Sequence, residues 1–197
     1  MDEIITLDYG SGGKKTARLI EKLIVPALSN PALDALGDGA IVVGAEKLAF
    51  STDSFVVDPI FFPGGDIGKL SVCGTVNDIA MCGAVPKYLS CSFIIEEGLP
   101  VEDLEKIVES IRCTAERAGV QVVTGDTKVV ERGRGDKIYI NTAGIGLIDA
   151  GEALPSAAGA REGDVIIVSG TLGDHHAAIL GERLGIRTAS RLSLIHI

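Results

Sequence analysis

Four aspartates sit in short motifs of small or apolar residues: Gly37-Asp38-Gly39-Ala40, Ser51-Thr52-Asp53-Ser54, Val76-Asn77-Asp78-Ile79 and Thr124-Gly125-Asp126-Thr127. None lies in a run of solvated charge. An aspartate among apolar neighbours costs free energy unless something neutralises it, and two carboxylates about 4 Å apart repel by roughly 4 kcal/mol at an effective dielectric near 20. A shared divalent cation removes that repulsion. Mg²⁺ takes oxygen ligands and keeps waters or phosphates in its shell, so it suits this donor set. Asp78 is the sharpest of the four, because it interrupts an otherwise apolar helical pattern in which aspartate is a poor helix former. Taken singly, each is more readily a cap or turn residue than a ligand, Asp38 above all, since Asp-Gly is ordinary turn chemistry.

A glycine-rich stretch near the start supplies the other half of a nucleotide chemistry. Tyr9-Gly10-Ser11-Gly12-Gly13-Lys14-Lys15-Thr16 follows a short apolar run and precedes a helical pattern. The first backbone N–H groups of a helix lack internal partners and attract anions, so such a loop can cradle phosphate. It is not a P-loop. Counting back from Gly13-Lys14, the first glycine of that motif falls on Asp8, and Lys15 stands where a Ser or Thr would hold magnesium. A plain flexible turn is the competing reading.

The elements that must position these residues can be sketched from periodicity. Residues 4–7 read as a strand and 15–28 as a helix closed by Pro26 and Asn30-Pro31. Residues 41–43 and 47–51 read as short strands. Asp66 caps a helix running to about Met81, and 88–95 is a strand. Pro100 opens an amphipathic helix over 101–118, which Gly119 ends. Residues 120–123 and 138–148 are strands around a polar excursion at 131–136. The resulting order, roughly β-α-β-β-α-β-α-β-β, predicts an α+β fold: a mixed sheet with helices on one face. A composition change at 151–163 marks a domain boundary. The division is then 1–150, a first domain, and 151–191, the beginning of a second α/β domain with a strand at 165–169 and a helix at 174–184. Residues 192–197 are expected to be an adapter-derived tail on a truncated chain.

The 197 residues carry 27 acidic against 18 basic side chains, a net charge of −9, and no basic stripe, which argues against nucleic-acid binding. Such a chain must find local positive charge or a metal to hold a phosphate ligand. The four cysteines, Cys73, Cys82, Cys91 and Cys113, form no C-x-x-C pair, and three lie in apolar stretches. Free thiols of this kind fit a reducing cytoplasm. No charged-then-apolar leader and no long apolar run is present, so neither secretion nor a membrane span is expected.

The stretches "YGSGGKKT", "GDGA", "STDSFVVDPIFFPGGDIGKLSVCGTVNDIAMCGA" and "VVTGDTKVV" resemble the ATP-binding superfamily of aminoimidazole ribonucleotide (AIR) synthetase, selenophosphate synthetase and thiamine-monophosphate kinase. Within it they are most similar to the carbamoyl dehydratase family of [NiFe]-hydrogenase maturation, over about residues 4–186. The resemblance implies an AIR synthetase-like N-terminal domain that pairs into a homodimer, the two sheets forming a barrel, with ATP near the interface. It implies that Asp38, Asp53, Asp78 and Asp126 bind magnesium and ATP, and that Gly10, Ser11, Gly12, Gly13 and Lys14 cover phosphates. Lys128, in "GDTKV", is implied as the catalytic residue beside the reacting amide; if its segment is extended, it shares a face with Asp126. His175 is implied near the nucleotide. The implied reaction is ATP-dependent dehydration of a carboxamide on a C-terminal cysteine to a thiocyanate, whose cyanide goes to the hydrogenase iron. The implied partners are a carbamoyltransferase and an iron-carrying scaffold complex. That C-terminal cysteine is not in this sequence, and Cys113 falls inside a predicted helix. Two other readings stay open: a sister kinase or synthetase acting on a free small molecule, and an inert dimerisation or partner-binding module.

Overall fold

A computed structural model of the chain describes residues 3–36, 39–151, 154–168 and 170–186. The architecture is α+β. A four-stranded mixed sheet runs in the order β1-β6-β4-β5, with β1 at Lys47–Phe55, β4 at Val85–Glu96, β5 at Gln121–Val130 and β6 at Ile138–Ile148. A two-residue hairpin, β2 (Phe61–Phe62) with β3 (Gly65–Asp66), precedes helix α3 (Ile67–Met81). Strands β4 and β5 are parallel and joined by helix α4 (Val101–Ala118), the crossover that parallel pairing requires. The last strand, β6, inserts antiparallel between β1 and β4 and leaves β1 and β5 as the two edges.

The helices form for the reasons the sequence suggests. Asp66 caps α3, its carboxylate accepting from the amides of Gly68 at 2.7 Å and Lys69 at 3.1 Å. Helix α4 buries Val101, Leu104, Ile107, Val108 and Ile111 and stops at Gly119, whose φ of 69° is the left-handed turn glycine permits. Helix α3 is enclosed on several sides, burying Ile67, Val72, Cys73, Thr75, Val76 and Ile79 between the sheet and α4. It reaches the sheet closely because β6 presents Gly144 and Gly146: a Cβ on either would run into the side chain of Ile79. Further along the same face of β6, Ile138 and Ile140 are almost fully buried in the main core with Leu89, Phe93 and Ile107.

Several expectations are corrected. Residues 4–7 are not a strand. Ile4 makes one isolated bridge to Pro100, and Leu7–Gly10 forms a 3₁₀ turn, so the glycine stretch leaves a turn and not a strand end. The helix after it begins as α1 (Lys14–Leu19), passes through a π-helical turn at Ile20–Ile24 and ends as α2 (Val25–Leu28). Pro26 lies inside α2 and does not terminate the helix; the wider turn ahead of it accommodates a residue without an N–H. Residues 41–43 form no strand, and Ile41 is 98% exposed. The expected strand at 165–169 is absent over its described part: Val165 to Val168 are exposed and pair with nothing among the described residues. Helix α5 (Asp174–Leu184) does form. It docks on the hairpin, with Ile179 in the main core and the Arg183 Nε donating to the Asp58 carbonyl. Residues 192–197 lie outside the described residues.

Candidate functional site

Strand alternation sets the first cluster. On β1 the side chains of Ala49, Ser51, Asp53 and Phe55 face the helices, and Asp53 pairs across the sheet with Thr142 of β6. Helix α3 crosses this face at a glycine. A Cβ on Gly74 would stand 2.8 Å from the Phe55 ring and 3.2 Å from the Asp53 carboxylate. One turn further on, Asp78 accepts a hydrogen bond from the Ser51 hydroxyl at 3.1 Å. The two aspartates are thus brought together from β1 and α3. Partial burial, and then the charge of Asp78, hold the Asp53 carboxyl above the usual aspartate range. Neither carboxylate has a cationic partner among the described residues. Asp78 is exposed, not buried as its apolar neighbours suggest, because its position on α3 falls on the open flank while Thr75, Val76 and Ile79 face inward.

The second cluster lies at the opposite edge. Asp126 and Lys128 share one face of β5, as alternation predicts, and pair at 3.0 Å. That contact, first, and the Thr127 amide hold the Asp126 carboxyl below its usual range. Lys128 registers with exposed Ile94 on β4, so the pair is on the face away from α3. The glycine stretch rests against the same strand at Val129, whose side chain is on the core side. Gly10 sits so close to the Val129 backbone that a side chain at position 10 would collide with it. Ser11 donates to the Asp8 carbonyl at 2.9 Å, and the Thr16 hydroxyl accepts from the Gly12 amide at 3.1 Å. Gly12, with φ of 75°, makes the turn, while Gly13 N-caps α1 without a side chain and Lys14 is exposed. A cavity of about 330 Å³ opens beside this segment between the α1–α2 helix and β5, with Thr16, Ile20, Phe93, Asp126 and Thr127 in its wall.

The predicted set therefore divides within one chain. Asp53 and Asp78 meet at the β1 edge. Asp126 and Lys128 lie at the β5 edge, about 14 Å away by three strand spacings and on the other face of the sheet, while the glycine loop abuts that edge at Val129. Asp38 lies outside the described residues. Among the described residues no three His, Cys, Asp or Glu side chains gather in a metal-holding arrangement. The Asp53–Asp78 pair still fits Mg²⁺: its donors are hard oxygens, it has no counter-charge among the described residues, and Mg²⁺ is commonly held by one or two carboxylates with water and phosphate completing its shell. His175 stands edge-on to Phe62, ring centroids 6.1 Å apart, at the hairpin. Cys73 and Cys91 are buried, their thiols pushed up to about 12 by burial, whereas Cys82, expected in an apolar environment, is exposed at the end of α3.

Sequence reasoning passed over the residues that hold the first cluster: Ser51, Thr75, Asn141 and Thr142. Asn141 donates to the Asp53 carbonyl and to the Ser54 hydroxyl, both at 2.9 Å. The available signal was the pair of hydroxyl- and amide-rich strand segments, "STDS" and "INTAG", which place polar side chains on a face that should be apolar.

A paired helix layer thus covers one face of a four-stranded mixed sheet that carries an acidic pair at one edge and an aspartate–lysine pair at the other. Residues 37–148 match the family described as AIR synthase related protein, N-terminal domain, and the chain belongs to that family. More narrowly, it is a homologue of the HypE carbamoyl dehydratases. Carbamoyl dehydratase HypE of Escherichia coli K12 is 53% identical over 190 residues, covering 92% of this chain and 56% of that protein. A crystal structure of hydrogenase maturation protein HypE in complex with ATP aligns with a TM-score of 0.89 at 54% identity, over 93% of this chain and 55% of that one. The HypE chain of a HypE–HypF complex aligns with a TM-score of 0.69 at 49% identity, over 88% of this chain and 56% of that one. The chain spans about half the length of the relatives it matches.

Proposed function

We propose that this chain provides the nucleotide-binding half of an ATP-dependent carbamoyl dehydratase. Magnesium is held at Asp53 and Asp78, with Asp126 joining it by resemblance, and the phosphates are held at the loop of Gly10, Ser11, Gly12, Gly13 and Lys14 together with Lys128. The observation that carries the reading is the Asp53–Asp78 pair, two carboxylates brought together with no cationic side chain among the described residues to balance them. A HypE relative was crystallised with ATP, and Asp38 joins the same set by resemblance. Mg²⁺, when bound, offsets the negative charge of the phosphates. Lys128, exposed on β5 beside the glycine loop, stabilises charge on the phosphoryl group as it moves to the carboxamide oxygen. Phosphate then leaves with loss of a proton from nitrogen, and the thiocarboxamide becomes a thiocyanate.

The two halves of the site lie at opposite sheet edges, which favours a homodimer. The face of the sheet away from α3 exposes Leu48, Phe50 and Ile94, and closing two such faces on each other sets each edge beside an edge of the second copy. A barrel of this kind brings the acidic pair of one protomer and the glycine loop of the other within reach of one nucleotide. A relative was crystallised as a HypE–HypF complex, which supports a protein partner for this chain; by resemblance that partner is a carbamoyltransferase that loads the carboxamide, with an iron-carrying scaffold taking the cyanide. Among the described residues no helix is long and apolar enough to cross a membrane.

Calorimetric titration of Mg–ATP into the wild-type chain and the Asp53→Asn variant tests the site; equal affinity in two folded proteins overturns it. Phosphate release with a carbamoylated cysteine peptide tests the reaction. Release only with a free metabolite returns the sister-kinase reading, and none at all leaves a binding module.

A further inference from the structure

The Asp53–Asp78 pair depends on a helix and a strand that approach each other over a buried hydroxyl chain. The Thr75 and Thr142 hydroxyl oxygens are 2.6 Å apart, and both residues are almost fully buried. The Thr142 hydroxyl donates to the Ser71 carbonyl at 3.1 Å. It has only one hydrogen to give, so Thr75 is the donor in the shorter bond. On its other side, the Thr142 carbonyl accepts from the Thr52 hydroxyl at 3.0 Å. Thr142 is the cross-strand partner of Asp53, and Thr75 lies one helical turn before Asp78. Gly144 keeps the approach open, since a Cβ there would stand 2.8 Å from the Thr75 methyl.

Resting on the reading of Asp53 and Asp78 as the cation site, we propose that Thr75 and Thr142 are positioning residues: their buried hydroxyl bond sets the separation of the two carboxylates and so the affinity of the site for a divalent cation with nucleotide. A core that needed only volume here would use valine, which has the shape of threonine and no group to satisfy. Threonine at both positions costs desolvation and returns a directional bond that fixes α3 against β6. Groups that orient metal ligands without touching the metal commonly change affinity by roughly 10- to 100-fold when removed.

The test uses Mn²⁺ with ATP, followed by paramagnetic resonance of the ion, on the full chain. Thr142→Val is expected to weaken Mn²⁺ binding by roughly 10- to 100-fold, and Thr142→Ser, which keeps the hydroxyl, to restore it. The double variant Thr75→Val, Thr142→Val removes both hydroxyls, so it is expected to melt close to wild type and still bind weakly. Folded valine variants that bind Mn²⁺ like wild type overturn the proposal, as does a serine variant that loses as much as valine. Asp53→Asn separates the two levels of inference. If it loses the ion while Thr142→Val does not, the site stands and the positioning role falls; if it binds the ion like wild type, both fall.

Discussion

Replacing Asp78 by Asn should move the stability of the free protein and its response to ligand in opposite directions. Asparagine keeps the volume and the oxygen that accepts from Ser51 but removes one of two like charges. Asp53 is only partly buried and Asp78 is exposed, so water screens the repulsion to the scale of surface pairs, about 0.5 kcal/mol. For a chain of this length that raises the melting temperature by about 1–2 °C. With Mg–ATP at a hundred times its dissociation constant, the wild type gains about 2.7 kcal/mol; a variant binding tenfold more weakly gains about 1.4 kcal/mol. The two melting curves should therefore cross, the variant above wild type when free and below it when loaded, as read by scanning calorimetry. Acidity gives a second sign. The Asp53 carboxyl is raised above its ordinary value of 3.8 when folded. Its contribution to stability is thus present below pH 3.8 and is lost as pH rises through the raised value. Asp78→Asn should flatten that loss without abolishing it, because burial is the larger cause. A variant with unchanged free stability and an undiminished ligand response refutes the acidic-pair reasoning.

The cap of α3 offers a purely structural contrast. Asp66 is held above its ordinary range chiefly by burial, so Asp66→Ala should cost about 1–2 kcal/mol through loss of the cap while Asp66→Asn stays close to wild type at neutral pH, measured by urea denaturation. Gly10→Ala should lift the glycine loop from Val129, lowering stability by about 1–3 kcal/mol and weakening ATP binding in calorimetric titration. Phe50→Asp, at a position 69% exposed on the sheet face away from α3, should give a folded monomer by sedimentation, with ATP affinity lost if the site needs both copies. Mixing the Asp78→Asn and Lys128→Met chains tests that need directly. If each site takes its acidic pair from one copy and its lysine from the other, a mixed dimer contains one site with neither substitution, and binding should reappear on mixing. If each chain holds a complete site, mixing two impaired proteins restores nothing.

The sequence was most legible where one local rule decides the outcome. Asp66 followed by an apolar run, Pro100 before a 3.6-residue periodicity and Gly119 after it all name helix boundaries through chemistry that acts within one turn. The shared face of Asp126 and Lys128 follows from strand alternation alone. The apolar runs at 41–43 and 165–168 misled because hydrophobicity and β-branching favour a strand only where another strand can pair with it, and the sheet order offers these segments no neighbour. Pro26 misled for the opposite reason: a π-helical turn absorbed a residue that usually ends a helix.

The division of the four-aspartate set has a topological cause that no motif carries. Motifs record which side chains are available, whereas the distance between Asp53 and Asp126 is set by where the last strand enters the sheet. Had β6 added outside β5, β1 could have lain beside β4 and the two motifs would have been near neighbours. Its insertion between β1 and β4 instead drives β1 and β5 to opposite edges, and the Gly144 and Gly146 positions that admit α3 belong to that same strand. One strand thus both builds the Asp53–Asp78 pair and parts it from the glycine loop. A ligand that needs both halves must then be met by more than one sheet edge, which a second copy of the chain can supply and a change of side chain within this one cannot.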